Sequence, residues 1–358
     1  MNRNITDALL HVLANIEDEG DIVVARGQEQ REVLSSLTKI ERPQERFLVL
    51  PGRNNNVFAQ IAETAWVLAG RDDLEFLSHY LPRAADFSDD GKTWRAAYGP
   101  RIRRWGGEVD QVAQVVERLR EDPYTKRAVI SIFDPGSDFG ETKDVPCNNW
   151  LQFIQRGGRL DLHVTVRAND AIWGFSGINF FEWSVLHEIV ARSLGWEVGA
   201  LSWFVGTFHV YSRHYTLAGR LRSLEGIRSP YEEGVSTTGI STTVERLDGV
   251  LVRLFEAEEH ARAGRFDDAE RVEREISDPF FRYSATMLRL YNAYLMGRDR
   301  TDVLDILHEL HETDFFTAAA EYIARRWKDD SAIPVPPGPQ SAFFEQFRLV
   351  RDRRLLPA

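Results

Sequence analysis

A single cysteine, Cys147, serves all 358 residues. One thiol excludes an intrachain disulfide and any cysteine-cluster metal site. Positive charge is also in short supply: 44 basic residues face 55 acidic ones, for a net charge of −11. A polyanion is repelled by that balance on average, which argues against a general nucleic-acid or membrane-surface binder. A local basic pocket for one small phosphate remains compatible with it. No apolar run approaches the roughly 20 residues that a membrane span needs. The opening MNRNITDALLHVLANIEDEG reads as an acidic amphipathic helix rather than a secretory leader. The expectation is a cytoplasmic protein with no metal, DNA or membrane partner.

What is present is core-forming material: 43% apolar residues and nine tryptophans, enough to bury a sizeable interior. Ile5, Leu9, Leu10, Val12 and Leu13 fall close to helical spacing. FLVLPGRNNN (47–56) reads as a short apolar strand ended by a Pro-Gly turn, with an asparagine cluster offering an N-cap to the next helix. That helix carries Phe58, Ile61, Ala62, Ala65, Trp66 and Ala69 on one face and closes at Gly70. Residues 82–108 are loop-rich, and 109–121 are helical in pattern. Three strand-like runs follow, RAVISIFD (127–134), NWLQFIQ (149–155) and RLDLHVTVR (159–167), the last two joined by a Gly-Gly hairpin turn. A strongly apolar helix at 178–196 and a strand at 200–215 complete this part. After Gly239 the character changes to helical pattern over 244–329, a proline-rich linker at 333–339 and a short last helix. The division expected is a catalytic domain at 1–243 and a helical extension at 244–358.

Cys147 sits behind Pro146 and before Asn148 and Asn149, between two strand-like runs. A lone cysteine is most often a small core residue, but a polar Asn pair makes a poor core slot. A nucleophilic thiolate needs nearby positive charge, and Arg127 and Arg167 stand at the edges of neighbouring strands. Cysteine with arginines points to sulfur attack on an anionic substrate.

PCNNWLQF, then TVRANDAIWGFSGINFFEWSVLHEIVA, then FVGTFHVYSRH together resemble the thymidylate synthase superfamily, in order and spacing, over roughly residues 20–215. The resemblance implies an α/β (α+β) fold: a mixed β-sheet with packed helices, here with a C-terminal helical annex. It implies a homodimer that binds a pyrimidine nucleoside monophosphate and 5,10-methylenetetrahydrofolate. By the same resemblance Cys147 adds to C6 of the pyrimidine, Glu63 works with water in proton transfer, Asp170 orders water around base and cofactor, and Tyr98 lies near the nucleophile. Arg167 and Arg26 match phosphate ligands, and Lys126 and Arg127 match a cationic pair donated across the dimer interface. His209 and Tyr211 match the pair that binds the sugar hydroxyl, and Asn179 matches the reader of the base edge.

Four departures stand out. Ala168 replaces the serine after the phosphate arginine, and Asn148 replaces a histidine after the cysteine. Ala84 falls where a tryptophan walls the folate side, and the family's closing C-terminal tail has no counterpart. A site that admits water should release hydroxymethyl rather than methyl. The resulting expectation is C5 hydroxymethylation, with CMP preferred, then dCMP, then dUMP, because Ala168 suggests room for a ribose hydroxyl, as in the cytidylate hydroxymethylases of nucleoside-antibiotic pathways. The alternatives are methylation of dUMP, hydroxymethylation of dUMP, or a non-catalytic nucleotide- or RNA-binding relative.

Overall fold

The computed structural model describes residues 1–224, 226–328 and 333–352, with side chains described up to residue 347. Its centre is a mixed six-stranded sheet of β1 (Asp21–Ala25), β2 (Gln28–Ile40), β3 (Val129–Ser131), β4 (Asn148–Arg156), β5 (Arg159–Asp170) and β6 (Glu197–Tyr211). The order is β1-β2-β6-β5-β4-β3; β5 and β6 run parallel and every other pair is antiparallel. Leu160, Leu162, Val164 and Val166 alternate into the core along β5, as the period of two requires. The parallel pair needs a crossover, which the Phe180–Leu194 helix supplies; it is buried from Phe180 to Ala191.

Two expected strands changed. The apolar run at 47–50 pairs with nothing and is a buried extended segment instead. A short apolar run cannot by itself tell a strand from other buried chain. The strand expected at 127–134 shrinks to Val129–Ser131. Conversely, β1 and β2 are a long hairpin that the pattern did not reveal, because QEQREVLSSLTKI is mostly polar and largely exposed. Within the loop-rich stretch, Tyr98–Arg103 forms a short helix. Gly157 and Gly158 both take positive φ, 59° and 78°, the geometry of the tight hairpin turn expected there.

Residues 244–327 form five helices, Val244–Arg262, Phe266–Glu275, Pro279–Leu295, Arg300–His308 and Asp314–Trp327, and Pro339–Asp352 is a sixth. Residue 329 and the last residues of the expected extension lie outside the described residues. The helices share one buried apolar cluster with the sheet. Phe58 stacks on Tyr291 at 4.9 Å and meets Tyr322 edge-on at 4.9 Å, and Phe47 packs on Phe315 at 4.8 Å. Polar contacts cross the same seam: Tyr80 Oη donates to Glu258 at 2.8 Å and accepts from Asn292 at 3.2 Å. Arg325 donates to the carbonyl of Asn55 at 2.9 Å, so the last long helix grips the loop before the Val57–Leu68 helix.

Candidate active site

Cys147 is half-buried immediately before β4. The neighbouring strand supplies its cation. Arg167, on β5, places Nη2 3.7 Å from the sulfur, while the same guanidinium donates to the carbonyls of Val145 at 2.7 Å and Pro146 at 2.9 Å. Its backbone N–H also donates to the Cys147 carbonyl at 2.9 Å. One arginine thus holds the three residues 145–147 in place. Burial pushes the thiol upward, Arg167 pulls it down, Asp144 opposes, and Arg26 pulls down again.

Arg26 arrives by a different route. Ala25 pairs with Gln28, so Arg26 and Gly27 alone form the turn between β1 and β2, with φ of 49° and 72°. A two-residue turn of that hand carries positive φ at both positions, and it leaves the Arg26 side chain exposed yet within electrostatic reach of Cys147 and Asp144. Lys126 and Arg127 are exposed before β3 and are not among the groups acting on the thiol. The chain therefore brings Arg167 and Arg26 to its own sulfur, and leaves Lys126 and Arg127 on the outside.

Asn148 is fully buried and turned away from solvent. Its Oδ1 accepts from Trp183 Nε1 at 3.1 Å, and its Nδ2 donates to Tyr98 Oη at 2.7 Å. Both ends of the amide are engaged, so its orientation is set and the Tyr98 hydroxyl keeps its own proton free to donate. Burial and the nearby Cys147 and Glu182 hold that phenol well above the usual range.

Asp170 ends β5 and caps the next turn, its Oδ1 accepting from Ile172 N at 2.8 Å. Residues Ala171–Asn179 then form a wide π-type turn, a geometry frequent at functional sites. It carries Asn179 to the start of the long buried helix. Gly174 is closely approached in it: a Cβ there would lie 2.5 Å from Asn169 Nδ2 and would have to displace that side chain. Arg53 underpins the turn through the Ile172 carbonyl and, at 3.3 Å, Ser176 Oγ. Arg53 is fully buried and lowered to about 10 by desolvation, with Asp170 opposing.

Glu63 is buried on the Val57–Leu68 helix, and desolvation raises its carboxyl to about 8. His209 lies on β6 opposite Asp170 in register, its ring 4.9 Å from that of Tyr211. Burial lowers the imidazole, opposed by Asp170 and the nearby Thr207 backbone, and neither ring nitrogen has a partner in good hydrogen-bonding geometry. A neutral, unmatched His209 is suited to a ligand hydroxyl. Ala168 pairs across from Thr207 on the same two strands.

Several groups were not picked out from the sequence, Arg53, Asp144 and Trp173 among them. Glu182 is fully buried beside Asn179, hidden within an apolar helical run whose periodicity drew attention only to its hydrophobes. Trp94 stacks on Phe87 at 5.6 Å and 11° and donates to Asp144 Oδ2 at 2.9 Å. Ala84 is buried in the preceding Pro82–Phe87 turn. An indole therefore does reach the segment leading to the nucleophile, from ten residues further along than the position that Ala84 occupies. Trp173, in the π-type turn, is 52% exposed.

Sulfur under an arginine, an amide able to read a base edge, and a neutral buried acid suit ring activation by addition at C6. The chain is a folate-dependent one-carbon transferase. A family model described as thymidylate synthase matches residues 6–235, and the chain belongs to that family. Among known proteins it is similar to the deoxyuridylate hydroxymethyltransferase of Pseudomonas phage M6, 33% identical over 343 residues covering 90% of this chain and 93% of the relative. It is 38% identical over 221 residues to the deoxyuridylate hydroxymethyltransferase of Bacillus phage SP01, covering 59% and 58% of the two chains. The protein of that name from Delftia phage PhiW-14 is 35% identical over 184 residues, covering 48% and 50%. Against the last two, the match spans about half of the relative's length.

Proposed function

We propose that this protein hydroxymethylates C5 of dUMP. The reading is carried by the Cys147–Arg167 pair standing in a chain that matches a deoxyuridylate hydroxymethyltransferase over nearly its whole length. The names of the relatives favour dUMP over the cytidylate preference expected from Ala168. Cys147 adds to C6 and leaves C5 nucleophilic. Methylenetetrahydrofolate supplies the one-carbon unit when bound, with Trp94, Phe87 and Trp173 as the aromatic surface to hold it. Arg167 and Arg26 take the phosphate, His209 and Tyr211 the sugar hydroxyl, and Asn179 the base edge. Glu63 and Tyr98 handle the proton traffic at C4 and C5, and Asp170 holds water there. Loss of the C5 proton, with tetrahydrofolate departing as the leaving group, would leave a C5 methylene. Water adds to it, and the Cys147 sulfur then leaves C6 to restore the C5–C6 double bond and release the hydroxymethyl product. Asp144, half-buried three residues before the nucleophile, is a carboxyl able to hold that water.

The protein works as a homodimer in this reading. Leu37 and Phe204 are exposed register partners on β2 and β6, with Leu34 also exposed nearby, an apolar patch of the kind that marks an interface. Lys126 and Arg127, exposed and away from their own thiol, are then free to serve the partner's phosphate. No helix among the described residues is long and apolar enough to cross a membrane. A free thiol nucleophile and small nucleotide substrates suit a reducing cytoplasm.

The test is to incubate the protein with methylenetetrahydrofolate and dUMP, dCMP, UMP or CMP in parallel and to read product masses. Hydroxymethyl-dUMP as the main product supports the proposal. A methyl product formed with dihydrofolate, preferred turnover of CMP, or binding without turnover would each overturn it.

A further inference from the structure

Glu182 is the one deeply buried carboxyl at this site that the chemistry above does not use. It lies in the first turn of the Phe180–Leu194 helix with no exposed surface. Its Oε2 accepts from Asn179 Nδ2 at 3.4 Å, while its Oε1 is buried and has no hydrogen-bond partner. The groups acting on its charge are Glu63, from the helix packed alongside, and the Asn179 amide; Tyr98 in turn feels its charge. It therefore stands among three groups assigned to the pyrimidine edge.

Burial first, and the second carboxyl of Glu63 alongside, push this carboxyl well above the usual carboxylate range and so favour its protonated form. A neutral carboxyl offers one acceptor oxygen and one O–H donor. Oε2 is already used as an acceptor, so the hydroxyl belongs on Oε1, where it is a buried donor with nothing to receive it. Such a group is costly to leave unmade and points to a partner that arrives later.

We propose that Glu182 is a specificity-determining residue whose Oε1 hydroxyl donates to the C4 oxygen of a uracil ring, directly or through one water, and so selects uracil over cytosine. Asn179 completes the pattern. With one Nδ2 hydrogen on Glu182, its other hydrogen and its Oδ1 are left for the base: a donor toward O4 and an acceptor for N3–H. Cytosine reverses both roles, presenting an amino donor at C4 and an acceptor at N3. Its amino group would face the Glu182 hydroxyl donor to donor. This inference rests on the uracil reading above.

The experiment measures binding, so it does not depend on which product forms. Cys147→Ser protein is titrated calorimetrically with dUMP and dCMP, alone and combined with Glu182→Met or Glu182→Gln. Glu182→Met keeps the volume and removes the donor; it should weaken dUMP about tenfold and leave dCMP within about twofold, the effect of one lost hydrogen bond. Glu182→Gln retains an N–H donor and should keep dUMP binding within about threefold. An unchanged dUMP-to-dCMP ratio in folded Glu182→Met protein overturns the inference while leaving dUMP as substrate. A Cys147→Ser protein that itself prefers dCMP overturns the substrate reading and the inference with it. If Glu182→Met does not fold, dUMP binding to Cys147→Ser/Glu182→Leu protein reads the same bond, because leucine also removes the donor and leaves Asn179 in place. A loss of about tenfold supports the inference and equal binding overturns it.

Discussion

Arg167 holds its Nη2 3.7 Å from the Cys147 sulfur and uses the same guanidinium to tie down the carbonyls of residues 145 and 146. It is at once the brace of the nucleophile and its nearest cation. Arg167→Ala should therefore raise the thiol further, since burial and Asp144 already push it upward. The pH dependence of Cys147 alkylation by iodoacetamide would move to higher pH, and an unchanged profile would count against this role. Cys147→Ser should cut turnover by about a thousandfold or more while retaining nucleotide binding.

Glu63 makes the pH dependence of this protein specific. Its folded value of about 8 lies above the ordinary 4.5, so the folded protein binds this proton more tightly than the unfolded chain does. Burial of Glu63 adds no ionisation cost below about pH 4.5, and the cost grows as pH rises to about 8. Glu63→Gln removes that cost. Its Tm relative to the parent should rise steadily between about pH 5 and pH 8. The kcat/KM of the parent should fall as pH passes about 8 and the neutral acid is lost, a limb that Glu63→Gln should lack at its lower activity.

The buried amide of Asn148 links Trp183 to Tyr98. Asn148→Ala strands the Trp183 N–H and should cost about 2–3 kcal/mol in chemical denaturation. Tyr98→Phe should cost about 1 kcal/mol by leaving the Asn148 donor without its acceptor. The two are in contact, so a double-mutant cycle should show coupling of about 1 kcal/mol.

A chain cut after residue 243 should not fold as a native-like unit. It would expose the faces of Phe47 and Phe58 that cover Phe315, Tyr291 and Tyr322, and strand the Tyr80 hydroxyl that meets Glu258 and Asn292. Circular dichroism and soluble yield of residues 1–243 against the full chain check this. A truncated protein with a sharp thermal transition would show that the helices are a separable domain.

Legibility followed contact range. The two long helices around 57–69 and 180–194 and the β4–β5 hairpin were readable because their apolar spacing and glycine turn are local signals. The β1–β2 hairpin was not, since β1 is only five residues long and β2 is mostly polar and takes its place in the sheet from β6, more than 160 residues away in the chain. The run at 47–50 misled for the opposite reason: it is apolar because it is buried under Phe181 and Phe315, with no strand beside it.

Cys147 and Arg167 stood out in the sequence by residue type and placement, whereas Asp170, Asn179 and His209 were singled out only through the resemblance to the thymidylate synthase superfamily. That Asn148 points inward to Tyr98, that Glu182 leaves a buried carboxyl oxygen without a partner beside Asn179, and that Trp94 reaches Asp144 was decided only by the tertiary structure. Spacing along a chain sets which face a residue occupies. What that face meets depends on the parallel β5–β6 pairing and the helix that crosses over it, and those long-range contacts determine whether a buried polar atom finds its partner or waits for a substrate.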